Sequence, residues 1–587
     1  MCYAGTQAAG QKERGNSMTY EKEIPDFALV PAREPEERVL TPITQGAIYA
    51  PVQVTNITEK PKTTFMIEED ILVPDTRPDL KKILMMTGQV HLAEREVTAM
   101  AGKDDAVSIT GDVQLQTLYL PEKNGVHGPV LSITSRMSFR EPWHISLAPG
   151  ASMLLEAEIE KIEYMVINER KFRVKITMCI RAWEYDDSRI DLFEGLATES
   201  LETLRDTVEI TSVALRKKDI LSIQEDLEIK EGEMPQTILM QNLSVVENYK
   251  QASAEKVVVN GFIYISLLYS SPGSSAGENA DGKAGTGEAE SAEGEPLYLC
   301  QMQDRVEFTQ FIPLTQAGTW SGSNVCFDGS DLKVRLVKNE EGRDVFRLEG
   351  DIITWITLYR NVEKEVITDA YHREKQFVCD FEETSCRTLV GVAAGEATIR
   401  EVIPLESTRE EVEQVIFVSG EVIRSESRPE TGKIITEGIV LGKLICKSRA
   451  EDADEAGYGF FSLQQEIPFR CVTAVPQMNG EEKISSRVYL KDLWAEKISG
   501  KQAEFNSVVL VCSEVMRQAP FQLLKNPAFE ETRTGRDRRS MAVYIVRPGD
   551  TLWSVARKFQ STVDLICQVN QIGDERLHPG QKLLILR

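Results

Sequence analysis

Short runs in which apolar and polar residues alternate dominate the first 540 residues of the chain. In the run Val107–Tyr119, for example, Val113, Leu115 and Thr117 alternate with glutamines. Because successive side chains of a strand point to opposite faces, this period predicts antiparallel sheets with one buried face. Turn-forming residues separate the runs, which favours a mainly β protein.

The same succession of runs occurs three times. A glycine-containing run comes first, at Val107–Tyr119, Val257–Tyr269 and Ile435–Cys446. A run that ends in an aromatic residue follows, at Ile133–Phe139, Asp304–Phe311 and Gln464–Phe469. A closing run completes each copy, at Phe172–Trp183, Phe346–Tyr359 and Phe505–Val515. A period of about 150 residues predicts three similar domains and is too long for a solenoid.

Each copy is expected to fold as a β-sandwich, with a partly closed barrel as the second choice. The stretches Pro78–Leu84 and Pro235–Leu239 have helix-like spacing and predict short helices near the start of the first two copies. The expected fold class is therefore three tandem antiparallel β-sandwich-like repeat domains, followed by a small βααβ domain.

Composition suggests where the domains begin and end. Residues 271–296 contain no large apolar side chain and are dominated by Gly, Ala, Ser and Glu, so they are expected to be a disordered insertion. The resulting division lists a flexible N-terminal arm (1–58), three repeats (59–200, 201–374 and 375–531), a basic linker (532–540) and a C-terminal domain (541–587).

Charge and cysteine content narrow the class of protein. The net charge of −25 argues against nucleic acid as the main partner, because phosphate binding needs clustered cations. The ten cysteines show no CxxC and no Cys/His cluster, which is typical of a reducing compartment. Residues 1–20 lack the apolar core of a secretory signal, and no run is long enough to span a membrane. The true start could be Met1 or Met18.

No motif predicts catalysis, a metal or a cofactor. The five histidines are dispersed, and no HExxH, GxSxG or triad signature accompanies them. The chain is therefore expected to be non-enzymatic.

The most specific pattern lies at the C-terminus. An alternating run ending in Val546 is followed by Pro548-Gly549-Asp550-Thr551-Leu552-Trp553, and a second apolar stretch ends at Asn570. Leu577-His578-Pro579-Gly580-Gln581 then leads into a final strand. Asp550 or Thr551 would cap the first helix, and Ser561 with Asp564 would form a capping box for the second. Most of the motif therefore explains folding, and the two loops are left as the candidate binding surface.

These last residues resemble a LysM module, and the upstream repeats resemble SPOCS domains. Together they resemble the SipL family of spore morphogenetic proteins. The resemblance implies a protein of the mother-cell cytoplasm, peripheral at the forespore surface, that supports spore coat assembly. It also implies a coat-basement ATPase (SpoIVA) as the partner of the LysM module, other coat proteins as further possible partners, and peptidoglycan as the alternative ligand. The residues assigned to partner or glycan binding are Gly549, Asp550, Thr551, Leu552, Asn570, Gln571, Ile572 and Leu577.

Overall fold

The computed structural model describes residues 40–43, 46–98, 106–122, 130–230, 233–272, 297–315, 317–404, 411–449, 459–530, 541–573 and 576–586. Three β-rich units and a C-terminal α/β domain follow one another along the chain. The expected fold class is confirmed. The linker predicted at 532–540 and most of the insertion predicted at 271–296 lie outside the described residues; Ser271 and Pro272 end a strand.

A short strand β1 (Leu40–Pro42) precedes the first unit. The first unit is formed by β2 (Ala47–Glu59), β3 (Thr63–Leu72), β4 (Leu80–Leu92), β5 (Glu96–Thr98), β6 (Ala106–Pro121), β7 (Leu131–His144), β8 (Ser152–Asn168) and β9 (Lys171–Leu196). The second is formed by β10 (Glu202–Leu227), β11 (Thr237–Ala252), β12 (Lys256–Pro272), β13 (Leu297–Pro313), β14 (Gly322–Asp328), β15 (Lys333–Lys338) and β16 (Asp344–Tyr371). The third is formed by β17 (Gln376–Pro404), β18 (Glu411–Glu430), β19 (Lys433–Arg449), β20 (Gly459–Ala474), β21 (Lys483–Ser499) and β22 (Gln502–Glu530).

Each unit is a sandwich of two antiparallel sheets. One sheet is a three-stranded meander, in the orders β4-β6-β7, β11-β12-β13 and β18-β19-β20. The long closing strand of the unit, β9, β16 or β22, is central to the other sheet. Phe172, Phe346 and Phe505 lie near the start of the three closing strands and are fully buried between the sheets. The closing runs recognised in the sequence therefore bury their aromatic residues at equivalent places.

The closing strands are longer than the sequence runs that predicted them, and their second halves leave the sandwiches. Each pairs there with the opening strand of its own unit, β2 with β9, β10 with β16 and β17 with β22. We call the three resulting ribbons the stalk. Apolar residues from all three ribbons, including Val52, Ile210 and Phe521, form one buried cluster. The ribbons are also joined by hydrogen bonds, since the amide of Val213 donates to Thr55 Oγ1 at 3.1 Å.

The stalk corrects the expectation of a flexible arm over residues 1–58. Residues 1–39 lie outside the described residues, but β2 is a regular strand whose Val52 and Val54 are buried. Its hydrogen-bonding partner is the 183–196 segment of β9. Because this partner is more than a hundred residues away, the local composition gave no sign of the pairing.

The three sandwiches meet at equivalent β-bulges. Register shifts leave Leu84, Leu239 and Ile416 as extra residues in the first strands of the three meanders. They form one buried cluster, called the apical cluster, with Met85, Leu118, Val130, Met240, Leu268, Phe417 and Ile445. Since a bulge adds one residue to a strand, it interrupts the alternation of apolar positions. The helices predicted at Pro78–Leu84 and Pro235–Leu239 are wrong for this reason: Leu80, Ile83 and Leu84 are spaced as on a helix but belong to a bulged strand.

A buried ionic cluster joins the units between the apical cluster and the stalk. Arg487 Nε of the third unit lies 2.6 Å from Glu156 Oε1 of the first, and these side chains are 14% and 11% exposed. Arg181 contacts Glu156 at 3.5 Å. Cys326 of the second unit donates its thiol to Glu156 Oε1 at 3.5 Å. The guanidinium of Arg487 stacks 5.0 Å from the Trp183 ring centre. All three units therefore meet at one carboxylate.

Candidate functional site in the C-terminal domain

The C-terminal domain has the βααβ order expected from the sequence. It consists of β23 (Met541–Ile545), α1 (Leu552–Phe559), α2 (Val563–Asn570) and β24 (Lys582–Leu586), and the two strands pair antiparallel. Val555 and Ala556 of α1, Ile566 of α2, and Leu583 and Ile585 of β24 form the buried core.

The first loop is held by hydrogen bonds around the start of α1. Thr551 is the N-cap, because its Oγ1 accepts from the amide of Ser554 and Ser554 Oγ accepts from the amide of Thr551 in return. Asp550 does not cap the helix; its Oδ2 accepts from the Tyr544 hydroxyl and the Arg547 amide, both at 2.7 Å. These hydrogen bonds, that of the amide first, hold the pKa of Asp550 below its usual value. Gly549 has φ of +89°, where glycine is strongly favoured.

The second loop begins where α2 ends. Asn570 clamps α2 to β24: its amide donates to the carbonyls of Ile566 and Leu584, and its Oδ1 accepts from the Leu584 amide at 2.7 Å. Gln571 follows as a left-handed C-cap with φ of +53°. Ile572 and Leu577 are partly buried against the core. The cap of α2 is Thr562, so the capping box predicted at Ser561 is one residue off. Ser561 is instead buried, and its hydroxyl donates to the carbonyl of Leu586.

The candidate residues therefore differ in what they can offer a partner. Gly549, Thr551 and Gln571 are exposed, and Asp550 is partly exposed. Leu552 is 4% exposed and belongs to the core. The side-chain amide of Asn570 is already hydrogen-bonded within the domain, to the carbonyl of Leu584. The surface available at the two loops is consequently small and polar, and much of it is backbone.

The domain packs against the end of the second unit's stalk ribbon. Asp369 Oδ2, at the end of β16, accepts from the Trp553 indole at 2.7 Å and from Arg557 at 2.8 Å. The Tyr371 hydroxyl donates to the carbonyl of Ser561 at 2.6 Å, and its ring packs edge-on to Trp553 with 5.0 Å between centres. Sequence reasoning gave no sign of Asp369 and Tyr371, which lie almost two hundred residues earlier in the chain.

This contact gives a first prediction. Replacing Asp369 by alanine removes the acceptor shared by Trp553 and Arg557, and is expected to weaken the docking of the C-terminal domain by about 1–3 kcal/mol. Hydrogen exchange of residues 541–586 should then become faster at Trp553 and along α1. Asp191→Ala serves as the control, because Asp191 is a half-exposed stalk carboxylate that pairs with Arg189 at 2.8 Å. Equal exchange in both variants would mean that the domain is not held by Asp369.

A cavity of about 1220 Å³ lies between the three units, and both cations, such as Arg305 and Arg424, and acids, such as Glu160 and Glu466, line it. It therefore does not present charge of a single sign. The carboxylates of Asp79, Glu122 and Glu169 lie near one another, but Arg170 donates to Asp79 at 2.8 Å.

Nine cysteines lie among the described residues, and none of the nine forms a disulfide bond there. Burial raises the pKa of several, for example that of Cys326 to about 12. Thiols of this kind are weak nucleophiles, as is usual for cysteines buried in apolar surroundings. Within the described part of the chain, no helix has the length and hydrophobicity needed to cross a membrane.

Comparison with known families assigns two of the regions. The LysM domain family matches residues 544–586, and the SPOCS domain family named for SipL matches residues 79–167, from the start of β4 into β8. These are non-catalytic binding domains, and no enzyme family is indicated. The molecule thus belongs to the class of multidomain binding proteins that combine β-sandwich units with a LysM domain. More narrowly, the combination of a SipL-type SPOCS domain with a C-terminal LysM domain confirms the resemblance to the SipL family.

Two relatives each match a short part of the chain. The chain is 49% identical over 41 residues to a probable endopeptidase p60 of Listeria grayi, a match that covers 7% of this chain and 8% of the relative. It is 34% identical over 65 residues to the uncharacterized protein YkzQ of Bacillus subtilis, covering 11% of this chain and 87% of that protein. No solved structure matches the chain.

Proposed function

We propose that this protein is a non-enzymatic adaptor of spore envelope morphogenesis. In this proposal the three units, each a SPOCS-like repeat, form the scaffold, and the LysM domain docks the coat-basement ATPase SpoIVA on the mother-cell side of the forespore surface. One observation carries the proposal. The LysM domain is fixed to the stalk through Trp553 and Asp369, while Gly549, Thr551 and Gln571 stay exposed for a partner.

Two features of the loops favour a protein partner. Residues 547–551 and 571–581 contain no Trp, Tyr or Phe, so they offer none of the large aromatic faces that commonly line small-ligand sites. The Trp nearest to the first loop donates its indole to the protein's own body. Exposed backbone and short polar side chains are suited to a partner that brings its own hydrogen-bonding groups.

Peptidoglycan is the second candidate, with the protein linking coat to cortex. The observation that favours it is the LysM match itself, which extends over both loops. In that case the same exposed residues would bind the polar groups of N-acetylglucosamine.

Thr551→Asp tests both candidates without removing the helix cap, because aspartate is as good an N-cap as threonine and is favourable at a helix N-terminus. Its charge alters the loop surface, so we expect at least a tenfold loss of partner binding, a typical cost at an interface centre. The full-length protein would be incubated separately with purified ATPase and with cortex peptidoglycan. Gln568→Glu, on the exposed surface of α2, is the matched control for added charge.

The outcomes separate the candidates. Binding to the ATPase that is lost in Thr551→Asp but kept in Gln568→Glu supports the adaptor. If the protein binds peptidoglycan but not the ATPase, and this binding is lost in Thr551→Asp but kept in Gln568→Glu, the glycan-binding function is supported in place of the adaptor function. In cells, removal of residues 541–587 should release the protein from the forespore surface if the LysM domain is its attachment.

A further inference from the structure

Strand β8 of the first unit has one edge that, among the described residues, is paired only near its start. It pairs with β9 along its whole length, from Ser152 to Asn168. On its other edge, β5 pairs only with Ser152–Leu154, and the Leu155 amide donates to the carbonyl of Arg95. No strand among the described residues pairs with this edge beyond that point. A free edge presents a row of backbone donors and acceptors to which another strand can add.

The end of this edge is apolar and exposed. Tyr164, Met165, Val166 and Ile167 are 45%, 58%, 42% and 43% exposed. Natural edge strands are usually protected by charges along their length, but these four consecutive residues carry none. Such a run on an unpaired edge indicates an interaction surface.

The charged residues next to this run are arranged so that two identical antiparallel copies of β8 would place opposite charges side by side. Lys161 Nζ and Glu163 Oε1 lie 2.6 Å apart on the same face of β8, and both side chains are about half exposed or more. In an antiparallel pair of identical strands centred on Ile162, Lys161 of each strand faces Glu163 of the other. Opposite charges at such facing positions stabilise strand pairing.

We propose that a second copy of this chain pairs with the free edge of β8, antiparallel, with Ile162 on the twofold axis. The contact is isologous, as in most homodimers. It forms two cross-strand ion pairs between Lys161 and Glu163. It also lays Tyr164 and Met165 of each copy alongside β8 of the other copy, which covers part of the exposed apolar run. The two sheets that contain β9 then join into one across the dimer.

Charge reversal tests the register. In Lys161→Glu the dimer would hold two Glu–Glu contacts, and in Glu163→Lys two Lys–Lys contacts, so each variant alone should dimerise at least about tenfold more weakly than the wild type. An equimolar mixture of the two variants restores both ion pairs in a heterodimer and should regain wild-type association. The double variant Lys161→Glu with Glu163→Lys should do the same. Sedimentation velocity on the full chain measures each case.

Arg189→Glu is the matched control. Arg189 and Asp191 are also two residues apart on a strand, 2.8 Å from each other and exposed, but they lie in the stalk. This variant should dimerise as the wild type does. A wild type that stays monomeric at about 100 µM, where a dimer with a micromolar Kd is largely formed, would overturn the proposal. So would single variants that dimerise normally, or a mixture that does not recover.

Discussion

Replacing Arg487 by methionine is expected to destabilise the three-unit body by about 3–5 kcal/mol, because it leaves the carboxylate of Glu156 buried without its nearest counter-charge. Glu156 lies where all three units meet, so the loss should appear as a weaker interface between units. Thermal unfolding followed by calorimetry should show a lower first transition. A single unfolding free energy is not defined for a chain of several domains, so the comparison is between transition temperatures.

Two further variants identify the cause. Arg487→Lys keeps the charge and should cost less. The double variant Arg487→Met with Glu156→Gln removes both charges and should recover much of the loss, since an isolated buried charge is worse than none. If the double variant is as unstable as Arg487→Met alone, the effect comes from lost packing against Trp183 and not from the charge.

The loss of stability in Arg487→Met is also expected to depend on pH. Burial alone would raise the pKa of Glu156, but the charges of Arg487 and then Arg181 outweigh it and lower the pKa. A lowered carboxyl pKa contributes stability that is present above the unfolded value and is lost as the pH falls through the folded value. Without Arg487 the pKa should rise, and protonation then removes the buried charge. The deficit of Arg487→Met should therefore shrink between about pH 7 and about pH 4.

Replacing Phe417 by alanine is expected to cost about 3–5 kcal/mol, as for other fully buried phenylalanines. Phe417 is fully buried in the apical cluster, where it packs with residues of the other two units. Hydrogen exchange should become faster around Leu118, Leu268 and Ile445, one residue from each unit. The core around Phe172 should stay protected, because it belongs to a single sandwich.

Phe311→Ala is the control for this change. Phe311 is 63% exposed on β13, so its truncation should alter stability little. If exchange in Phe417→Ala rose in only the third unit, the apical cluster would not couple the units.

The sequence predicts the sheets well because their apolar faces are local patterns. The three glycine-containing runs are in β6, β12 and β19, and the three closing runs are in β9, β16 and β22. Alternation and aromatic content are properties of each segment and need no knowledge of its partner. Prediction from local alternation fails at the bulges of Leu84 and Leu239. One extra residue there turns a period of two into a spacing that resembles a helix.

The stalk was not predictable in this way. β2 has few continuous apolar positions, and its order comes from pairing with β9 and packing with the other ribbons. Those contacts join residues that are distant in the chain. Local composition therefore predicted an arm where the structure has a strand.

The sequence predicted how the C-terminal domain folds better than it predicted which of its residues are exposed. Thr551 caps α1 as one of the two residues proposed for that role, and the domain has the βααβ order that the sequence predicted. The sequence could not show that Trp553 turns toward Asp369, since that contact depends on where the domain docks. The docking decides which loop residues remain exposed, and the pattern alone holds no information on it.

The apical cluster has a consequence for how such a chain can diversify. Its core is built from equivalent residues of three units, as in a symmetric trimer of separate chains. In a trimer every substitution occurs three times, whereas here the units are covalently joined and each can change alone. A change on one ribbon, such as the one that placed Asp369 and Tyr371 there, can thus create a docking site for one LysM domain. The core that holds the three units together is unaffected by such a change.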